Sequence, residues 1–127
     1  MILTVFFGLF LIIFSISFYL ASKIVFPKTI PVEKTYEIEI EKGKINETEY
    51  QSWDKQEIKI ASSFGYNIAA LYFPAENSHK TVIISHGIAH TRYGSVKYMP
   101  LFRQHGFNIL IYDLRYHGQS GGKNCTF

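Results

Sequence analysis

The sequence predicts a mixed α/β fold in which antiparallel strands lead into a parallel βαβ unit, preceded by one transmembrane helix. The first observation is that the first 22 of the 127 residues carry no charge, so all 13 Lys and Arg and all 10 Asp and Glu follow them. The second is a pair of short apolar runs at residues 81–85 and 107–112, separated by a stretch with helical periodicity. The third is an earlier pair of apolar segments around a turn at residues 63–65, which is typical of a hairpin.

The apolar first segment, residues 1–22, is predicted to be an uncleaved anchor in the lipid bilayer. As a helix it spans about 33 Å, which exceeds the hydrocarbon core of about 30 Å. A cleaved signal peptide is the alternative, but it would have a basic start, a shorter apolar core and a small-residue cleavage site, which residues 19–21 do not provide. Because Lys23, Lys28 and Lys34 all follow the helix, the positive-inside rule predicts a single-pass topology with the soluble part in the cytoplasm.

The composition beyond the anchor is that of one globular domain and excludes several functions. We expect a linker at residues 23–35, which contains two prolines, and a domain over residues 36–127. The net charge of +3 is too small and too mixed along the chain to indicate a nucleic-acid partner. The single Cys125 excludes an internal disulfide and a cysteine-based metal cluster, and no cofactor is expected.

The first part of the domain is predicted to be antiparallel. Residues 36–41 alternate strictly between apolar and Glu side chains, which predicts a half-buried strand with three solvated carboxylates. Residues 42–52 are polar and irregular, with room for a short helix. Residues 57–60 and 67–73 flank the turn and form the predicted hairpin.

The second part of the domain is predicted to be the βαβ unit. The apolar runs at residues 81–85 and 107–112 are of the kind found in parallel strands that are covered on both faces. The intervening helix is expected at residues 95–105, with Pro100 in its first turn or at a kink and Gly106 as its C-terminal stop.

Two loops rich in Gly, His and polar residues follow these strands, at residues 86–94 and 113–122. Functional groups of parallel sheets lie beyond the carboxyl ends of the strands, so two such loops on adjacent strands should meet in a site. His86 and His90 are four residues apart, but the loop context gives them no common helical face and no third ligand, so no metal site is expected. Asp113 is placed where a catalytic acid could lie, although a loop-bracing hydrogen bond is the preferred interpretation.

Two motifs stand at the ends of the strands: Ser85-His86-Gly87-Ile88, and Asp113-Leu114-Arg115-Tyr116-His117-Gly118-Gln119-Ser120. They resemble the first half of an α/β-hydrolase, in particular the bacterial, membrane-anchored branch related to serine aminopeptidase-like and acyltransferase-like hydrolases. In that branch a strand ending in His-Gly leads into the oxyanion loop, and a later strand ends in Asp-x-Arg-Gly-His-Gly-x-Ser. The resemblance covers about residues 53–122 and departs at Tyr116, where the family has Gly, so the loop backbone there has to accept a bulky side chain.

The resemblance implies a serine that attacks an ester or amide carbonyl, with backbone N–H groups holding the resulting oxyanion. Carried over by position, one donor is the backbone N–H of Ile88, and His86 and Gly87 shape the turn that presents it. Arg92 would order this loop or meet an anionic group, with an ordinary surface arginine as the alternative.

Ser120 lies in a Gly-x-Ser-x-Gly sequence that matches the nucleophile motif letter for letter. That motif requires a strand running directly into the turn and a helix leaving it. Because residues 113–117 intervene after the apolar run and only seven residues follow Ser120, we interpret Ser120 as a structural loop residue rather than as the nucleophile. The resemblance places the nucleophile, the acid and the catalytic histidine beyond Phe127.

The favoured hypothesis is the N-terminal portion of a membrane-anchored serine hydrolase that acts on ester, thioester or amide bonds of a small acyl or peptide substrate. Such a chain is expected to stop before its nucleophile and to be inactive alone. The alternative is a small membrane-tethered binding or interaction module without catalysis. A strand, a Gly-x-Ser-x-Gly turn and a helix encoded beyond the stop codon would exclude this alternative.

Overall fold

The computed structural model describes residues 2–125 and shows the mixed α/β fold expected from the sequence. The helices are α1 (Ile2–Val25), α2 (Val32–Glu41), α3 (Glu47–Ser52) and α4 (Met99–Arg103), with a 3₁₀ helix (Arg92–Tyr98) directly before α4. The strands are β1 (Gln56–Ala61), β2 (Asn67–Phe73), β3 (Thr81–Ser85) and β4 (Asn108–Tyr112). Met1, Thr126 and Phe127 lie outside the described residues, and with them the outermost positions of the predicted anchor and domain.

Helix α1 is long and apolar enough to cross a membrane over Leu3–Val25, a span of 23 residues. The most apolar stretch of this span is not buried against the rest of the protein. The helix continues past the predicted end at residue 22, and the Phe26 N–H still donates to the Ser22 carbonyl oxygen at 2.8 Å. Pro27, which has no N–H to donate, follows directly and ends the helix.

The predicted strand at residues 36–41 is wrong, because this segment belongs to helix α2. Glu is a strong helix former, and alternation over only six residues does not exclude a helix. Val32, Thr35 and Glu39 are spaced by three and four residues and form the buried side of α2. The three carboxylates therefore do not share a solvated strand face, and Glu39 is only 1% exposed. Helix α2 also crosses the predicted boundary between residues 35 and 36.

The buried carboxylate of Glu39 leads to a prediction about stability. Neither oxygen accepts a hydrogen bond within the described part of the chain, and Lys97 Nζ lies 3.7 Å from Oε2. Removing one member of a buried ion pair is costly when the other charge stays buried, but the Lys97 side chain is 28% exposed and can turn to water. Glu39→Leu therefore removes a buried charge that accepts no hydrogen bond and leaves no buried charge behind. We expect Glu39→Leu to raise the free energy of unfolding, measured by urea unfolding of the full chain in non-ionic detergent micelles. The fluorescence of Trp53, the single tryptophan, reports the transition.

The matched control for this variant is Glu37→Leu on the same helix. Glu37 is exposed and pairs with Lys34 at 3.3 Å, a surface contact of the kind that contributes about 0–1 kcal/mol. We expect Glu37→Leu to leave the stability almost unchanged. A Glu39→Leu chain that unfolds at lower urea than the native chain would contradict the prediction.

The four strands form one sheet in the order β1-β2-β4-β3, and this order positions the site. β1 and β2 form the predicted antiparallel hairpin, and β2 also pairs antiparallel with β4. β3 and β4 are parallel neighbours that end together, with Ser85 opposite Tyr112, which confirms the predicted βαβ unit. The loops that follow β3 and β4 therefore leave the same edge of the sheet, called here the carboxyl edge.

The prediction that β3 is covered on both faces is wrong for the described residues. β3 is the edge strand of the sheet, with β4 on one side only. Val82 and Ile84 pack against the core, whereas Ile83 points to the other face and is 62% exposed. No helix among residues 2–125 covers Ile83, so the alternation of inward and outward side chains leaves it in solvent.

The hydrophobic core lies between the other face of the sheet and a layer formed by α2, α3, the 3₁₀ helix and α4. Phe73 of β2, Ile109 and Ile111 of β4 and Met99 of α4 are all fully buried there. Burial of a side chain of this size stabilises a fold by about 1.5–3 kcal/mol. This core fixes β4 at the centre of the sheet and with it the start of the second loop.

The predicted helix at residues 95–105 is divided into the 3₁₀ helix and α4. Pro100 lies in the first turn of α4, which is one of the two placements predicted for it. Its missing N–H interrupts no helical hydrogen bond there. Gly106 follows α4 with φ +71°, a left-handed conformation that favours glycine, and its N–H donates to the Arg103 carbonyl oxygen at 2.9 Å.

Candidate functional site

Two loops meet at the carboxyl edge, as predicted from the sequence. The first loop, residues 86–91, follows β3 and leads into the 3₁₀ helix, and the second loop, residues 113–122, follows β4. Because β3 and β4 are adjacent and parallel, the loops leave the sheet side by side. Each loop places a buried polar side chain against the backbone of the other.

Two histidines exchange hydrogen bonds between the loops. His86 Nε2 in the first loop accepts from the Leu114 N–H at 2.9 Å, and His117 Nε2 in the second accepts from the Ala89 N–H at 3.2 Å. In each ring Nδ1 lies 2.7–2.8 Å from a backbone carbonyl oxygen, which can only accept. Both rings are therefore neutral imidazoles that carry the proton on Nδ1, and their centroids are 5.2 Å apart.

Burial lowers the pKa of His86 below its usual value, and this effect outweighs the hydrogen bond to the Gly87 carbonyl oxygen, which acts in the opposite direction. The folded state therefore binds a proton at His86 less readily than the unfolded chain does. This contribution to stability is complete above the unfolded pKa of about 6.5 and is lost as the pH falls through the folded pKa. Protonation of Nε2 would also break the bond from Leu114.

We expect the chain to unfold at lower urea at pH 5.5 than at pH 7.5, and we expect His86→Gln to reduce this difference. Gln does not titrate, and its side-chain oxygen can accept from the Leu114 N–H in place of Nε2. His79→Gln is the matched control, because His79 is exposed and far from the loops along β3. The prediction is wrong if His86→Gln shows the same pH dependence as the native chain. Urea titrations followed by Trp53 fluorescence at both pH values provide the measurement.

A buried ion pair joins the start of the 3₁₀ helix, directly after the first loop, to the second loop. Asp113 is fully buried, and its Oδ1 accepts from the Arg92 N–H at 2.7 Å. Its Oδ2 accepts from Arg92 Nη1 at 2.9 Å and from the Gln119 N–H at 3.0 Å. Arg92 Nη2 donates to Gln119 Oε1 at 2.8 Å. Arg92 is 3% exposed, so the surface-arginine alternative is wrong, and Arg92 orders the loops as the first alternative stated.

Ser120 is held on both sides by the backbone. Its Oγ donates to the Asp113 carbonyl oxygen at 2.6 Å and accepts from the Ala69 N–H at 2.9 Å, which ties the second loop to β2. No helix follows Ser120 as far as residue 125. These contacts favour the structural interpretation of Ser120 over a nucleophilic one.

The second loop contains three residues with positive φ, Tyr116, Gly118 and Gly122, and the first two shape the site. Tyr116, the departure from the resembled family, has φ +69°, a conformation that Gly adopts without strain and other residues rarely adopt. Its ring packs edge to face on Phe26, with centroids 6.4 Å apart. Gly118 has φ +52°, and a Cβ at this position would overlap the carboxylate of Asp113. The loop thus accommodates the bulky Tyr116 but requires glycine at position 118.

The first loop presents the backbone predicted to act as an oxyanion donor. Ile88 is 60% exposed, whereas His86 beneath it is buried. Across residues 2–125, the Ile88 N–H donates no hydrogen bond to a protein group. A cavity of about 240 Å³ adjoins the loop, with Ser85, His86 and Gly87 among its lining residues.

The described residues contain no group of three His, Cys, Asp or Glu side chains that could hold a metal ion. His90 lies beside Gly94, with 3.5 Å between Nδ1 and the position of an added Cβ. His86 uses both ring nitrogens in hydrogen bonds within the loops.

Sequence reasoning assigned no individual role to His117, Ala89 or Gln119. His117 was within the second motif, but its partner in the first loop could not be identified without the fold. The available signal was that each loop carries a histidine close to the end of its strand. Ala89 has φ +66°, which the sequence does not announce, because alanine is uncommon in that conformation.

Comparisons with known proteins point to a hydrolase-like fold, although no family model matches the chain. The chain is 40% identical over 78 residues to the uncharacterized protein YqkD of Bacillus subtilis (strain 168). The aligned segment covers 61% of this chain and 26% of YqkD. The Pyrococcus furiosus esterase Pf2001 is similar in structure, with a TM-score of 0.52 and 28% identity over 59% of this chain and 30% of that one. The α/β-hydrolase GrgF from Penicillium sp. sh18 is similar in fold, with a TM-score of 0.51 and 24% identity over 55% of this chain and 25% of that one.

The four-stranded mixed sheet thus resembles structures of an esterase and an α/β-hydrolase. The chain spans about a quarter of the length of the curated relative that it matches.

Proposed function

We propose that this chain provides the oxyanion loop of a membrane-anchored serine hydrolase that acts on ester, thioester or amide bonds. The backbone of Ile88 is the observation that carries the proposal. Its N–H is unpaired in the described part of the chain, and the loop that presents it is fixed by His86, His117 and the Arg92–Asp113 pair. A donor that is held in place before the reaction stabilises a developing oxyanion without reorganisation.

The open edge of β3 is where this proposal requires a nucleophile. In α/β-hydrolases the serine sits on a sharp turn between a strand and a helix, and its oxyanion hole includes an N–H from the loop after the third strand. Residues 2–125 contain no such turn, and Ser120 is engaged with the backbone on both sides. A parallel strand added beside β3 would end next to the first loop, within reach of Ile88. Catalysis therefore requires a strand and a serine that the described residues do not include.

Membrane attachment is the second part of the proposal. Helix α1 is long and apolar enough to span a bilayer, and its most apolar stretch is not buried against the described part of the chain. Lys23, Lys28 and Lys34 follow it, which favours a cytoplasmic site.

The hydrolase proposal is tested with a chimera, in which residues 53–122 of this chain replace the matching segment of the Pyrococcus furiosus esterase Pf2001. We expect the folded chimera to hydrolyse p-nitrophenyl butyrate. Ile88→Pro removes the proposed donor and should lower kcat by about 10²–10³-fold, the effect of losing one oxyanion donor in other hydrolases. Ile88→Ala keeps the N–H and is the matched control. A chimera that melts cooperatively and loses no activity in Ile88→Pro would overturn the proposal.

A binding module without catalysis is the second candidate function. The open edge of β3 and the exposed side chain of Ile83 favour it, because an unpaired strand edge can accept a strand from another polypeptide. A chimera that is folded but hydrolyses no ester, and does not react with a fluorophosphonate probe, would support this function over the first.

A further inference from the structure

We infer that the carboxyl edge of the sheet, with both site loops, lies against the surface of an anionic membrane. The inference rests on the anchoring part of the proposed function and adds the orientation of the domain. It is carried by the contacts of the segment that leaves α1, by the exposed apolar side chains at this edge, and by its charges.

The segment that leaves α1 is hydrogen-bonded to the residues around the site. The Cys125 N–H, just beyond the second loop, donates to the Val25 carbonyl oxygen at the last residue of α1, at 2.8 Å. The Ile30 N–H donates to the carbonyl oxygen of Ala89 in the first loop at 3.0 Å. The end of α1 is therefore bonded to the residue that follows the second loop by three positions, and the segment after it contacts Tyr116 in the second loop and Ala89 in the first. A bilayer that holds α1 also holds the loops close to its surface.

Exposed apolar side chains gather at the same edge. Phe26, which packs on Tyr116, is 52% exposed, Ile88 at the tip of the first loop is 60% exposed, and Phe64 in the turn between β1 and β2 is 79% exposed. The β1–β2 turn belongs to this edge because β2 runs antiparallel to β4. Transfer of aromatic and aliphatic side chains of this kind from water to the boundary between headgroups and acyl chains is favourable.

The opposite edge of the sheet differs in character. It carries the turn between β2 and β3, in which Glu76, Asn77 and His79 are exposed and polar. Asp54, just before β1, lies at this edge as well and is exposed. The contrast between the two edges gives the domain one face suited to a bilayer interface and one suited to water.

The charges of the carboxyl edge favour an anionic surface. Four basic residues lie in residues 23–31 and 113–125, namely Lys23, Lys28, Arg115 and Lys123. The only acid in those ranges is Asp113, which is buried and paired with Arg92. Each Lys or Arg close to an anionic leaflet adds to the electrostatic attraction between the domain and the membrane. An apolar protein partner would not require this excess of cations, so the combination fits anionic phospholipid.

The test measures how close each edge lies to the lipid headgroups. The full chain carries Cys125→Ser, which leaves the backbone bond to Val25 in place, and one new cysteine labelled with a fluorophore. Ile88→Cys reports the carboxyl edge, and Glu76→Cys is the matched control at the opposite edge. The chain is inserted into vesicles of equal parts phosphatidylcholine and phosphatidylglycerol that contain a headgroup nitroxide quencher. We expect several-fold stronger quenching at position 88 than at position 76.

A charge reversal tests the electrostatic part. Lys123→Glu should reduce the quenching at position 88, whereas Lys80→Glu at the opposite edge should not. A chain that floats with the vesicles but shows equal quenching at positions 88 and 76 overturns the inference and leaves anchoring intact. A chain that does not float overturns both the inference and the anchoring proposal. Self-association that protects position 88 from the quencher would show that a second copy covers this edge, and would also overturn the inference.

Discussion

Arg92→Ala is expected to lower the free energy of unfolding by about 3–5 kcal/mol, the usual cost of removing one partner of a buried ion pair. The substitution leaves the carboxylate of Asp113 charged at full burial and removes the donor to Gln119 Oε1. Urea unfolding of the full chain in non-ionic detergent, followed by Trp53 fluorescence, measures the change. Trp53 is a suitable reporter because its ring packs on Phe73 in the core, with centroids 6.1 Å apart.

Two further variants show whether the loss comes from the pair itself. Arg92→Lys keeps the charge but not the planar group that reaches both Asp113 and Gln119. We therefore expect Arg92→Lys to lower the free energy of unfolding, but by less than Arg92→Ala does. The double variant Arg92→Ala/Asp113→Ala should lose less than the sum of the single variants, because each single variant leaves an unpaired buried charge. A change within about 0.5 kcal/mol for Arg92→Ala, as for a surface substitution, would contradict the prediction.

The parts of the fold that the sequence predicted are those set by local pattern. The hairpin, β3, β4 and the stop at Gly106 follow from short apolar runs and from turn residues, which depend on neighbours in sequence. Residues 36–41 show where local pattern fails. Alternation over six residues fits a strand, but the packing of Val32, Thr35 and Glu39 against the domain selects a helix. The tertiary context overrode a pattern too short to identify the period.

The candidate site was predictable in position but not in its contacts. Parallel adjacent strands bring their following loops together, and this rule located both loops correctly. The exchange of hydrogen bonds between His86 and His117 depends on how the loop backbones turn, and nothing in the spacing of the residues specifies it. The same holds for Tyr116 at φ +69°, where the sequence showed only a departure from glycine.

Gly118→Ala is the second substitution with a large expected effect, because two costs coincide at this position. An L-residue at φ +52° costs about 1–2 kcal/mol relative to glycine. The new Cβ would also overlap the carboxylate of Asp113. This carboxylate accepts hydrogen bonds from the Arg92 side chain and from the Gln119 N–H. Relief of the overlap has to move Asp113 and so break the pair that joins the loops. We therefore expect a loss of stability well above the backbone term alone, measured by the same urea titration.

Gly65→Ala is the matched control that separates the two costs. Gly65 has φ +77°, and an added Cβ there meets no atom within 4 Å, so the substitution carries the backbone strain without the overlap. We expect Gly65→Ala to lose about 1–2 kcal/mol and Gly118→Ala to lose at least twice as much. In an Asp113→Ala background the two glycine variants should become similar, because the carboxylate that Gly118→Ala displaces is gone. Equal losses for both variants in the native background would show that the loop yields without disturbing Asp113, and the prediction would be wrong.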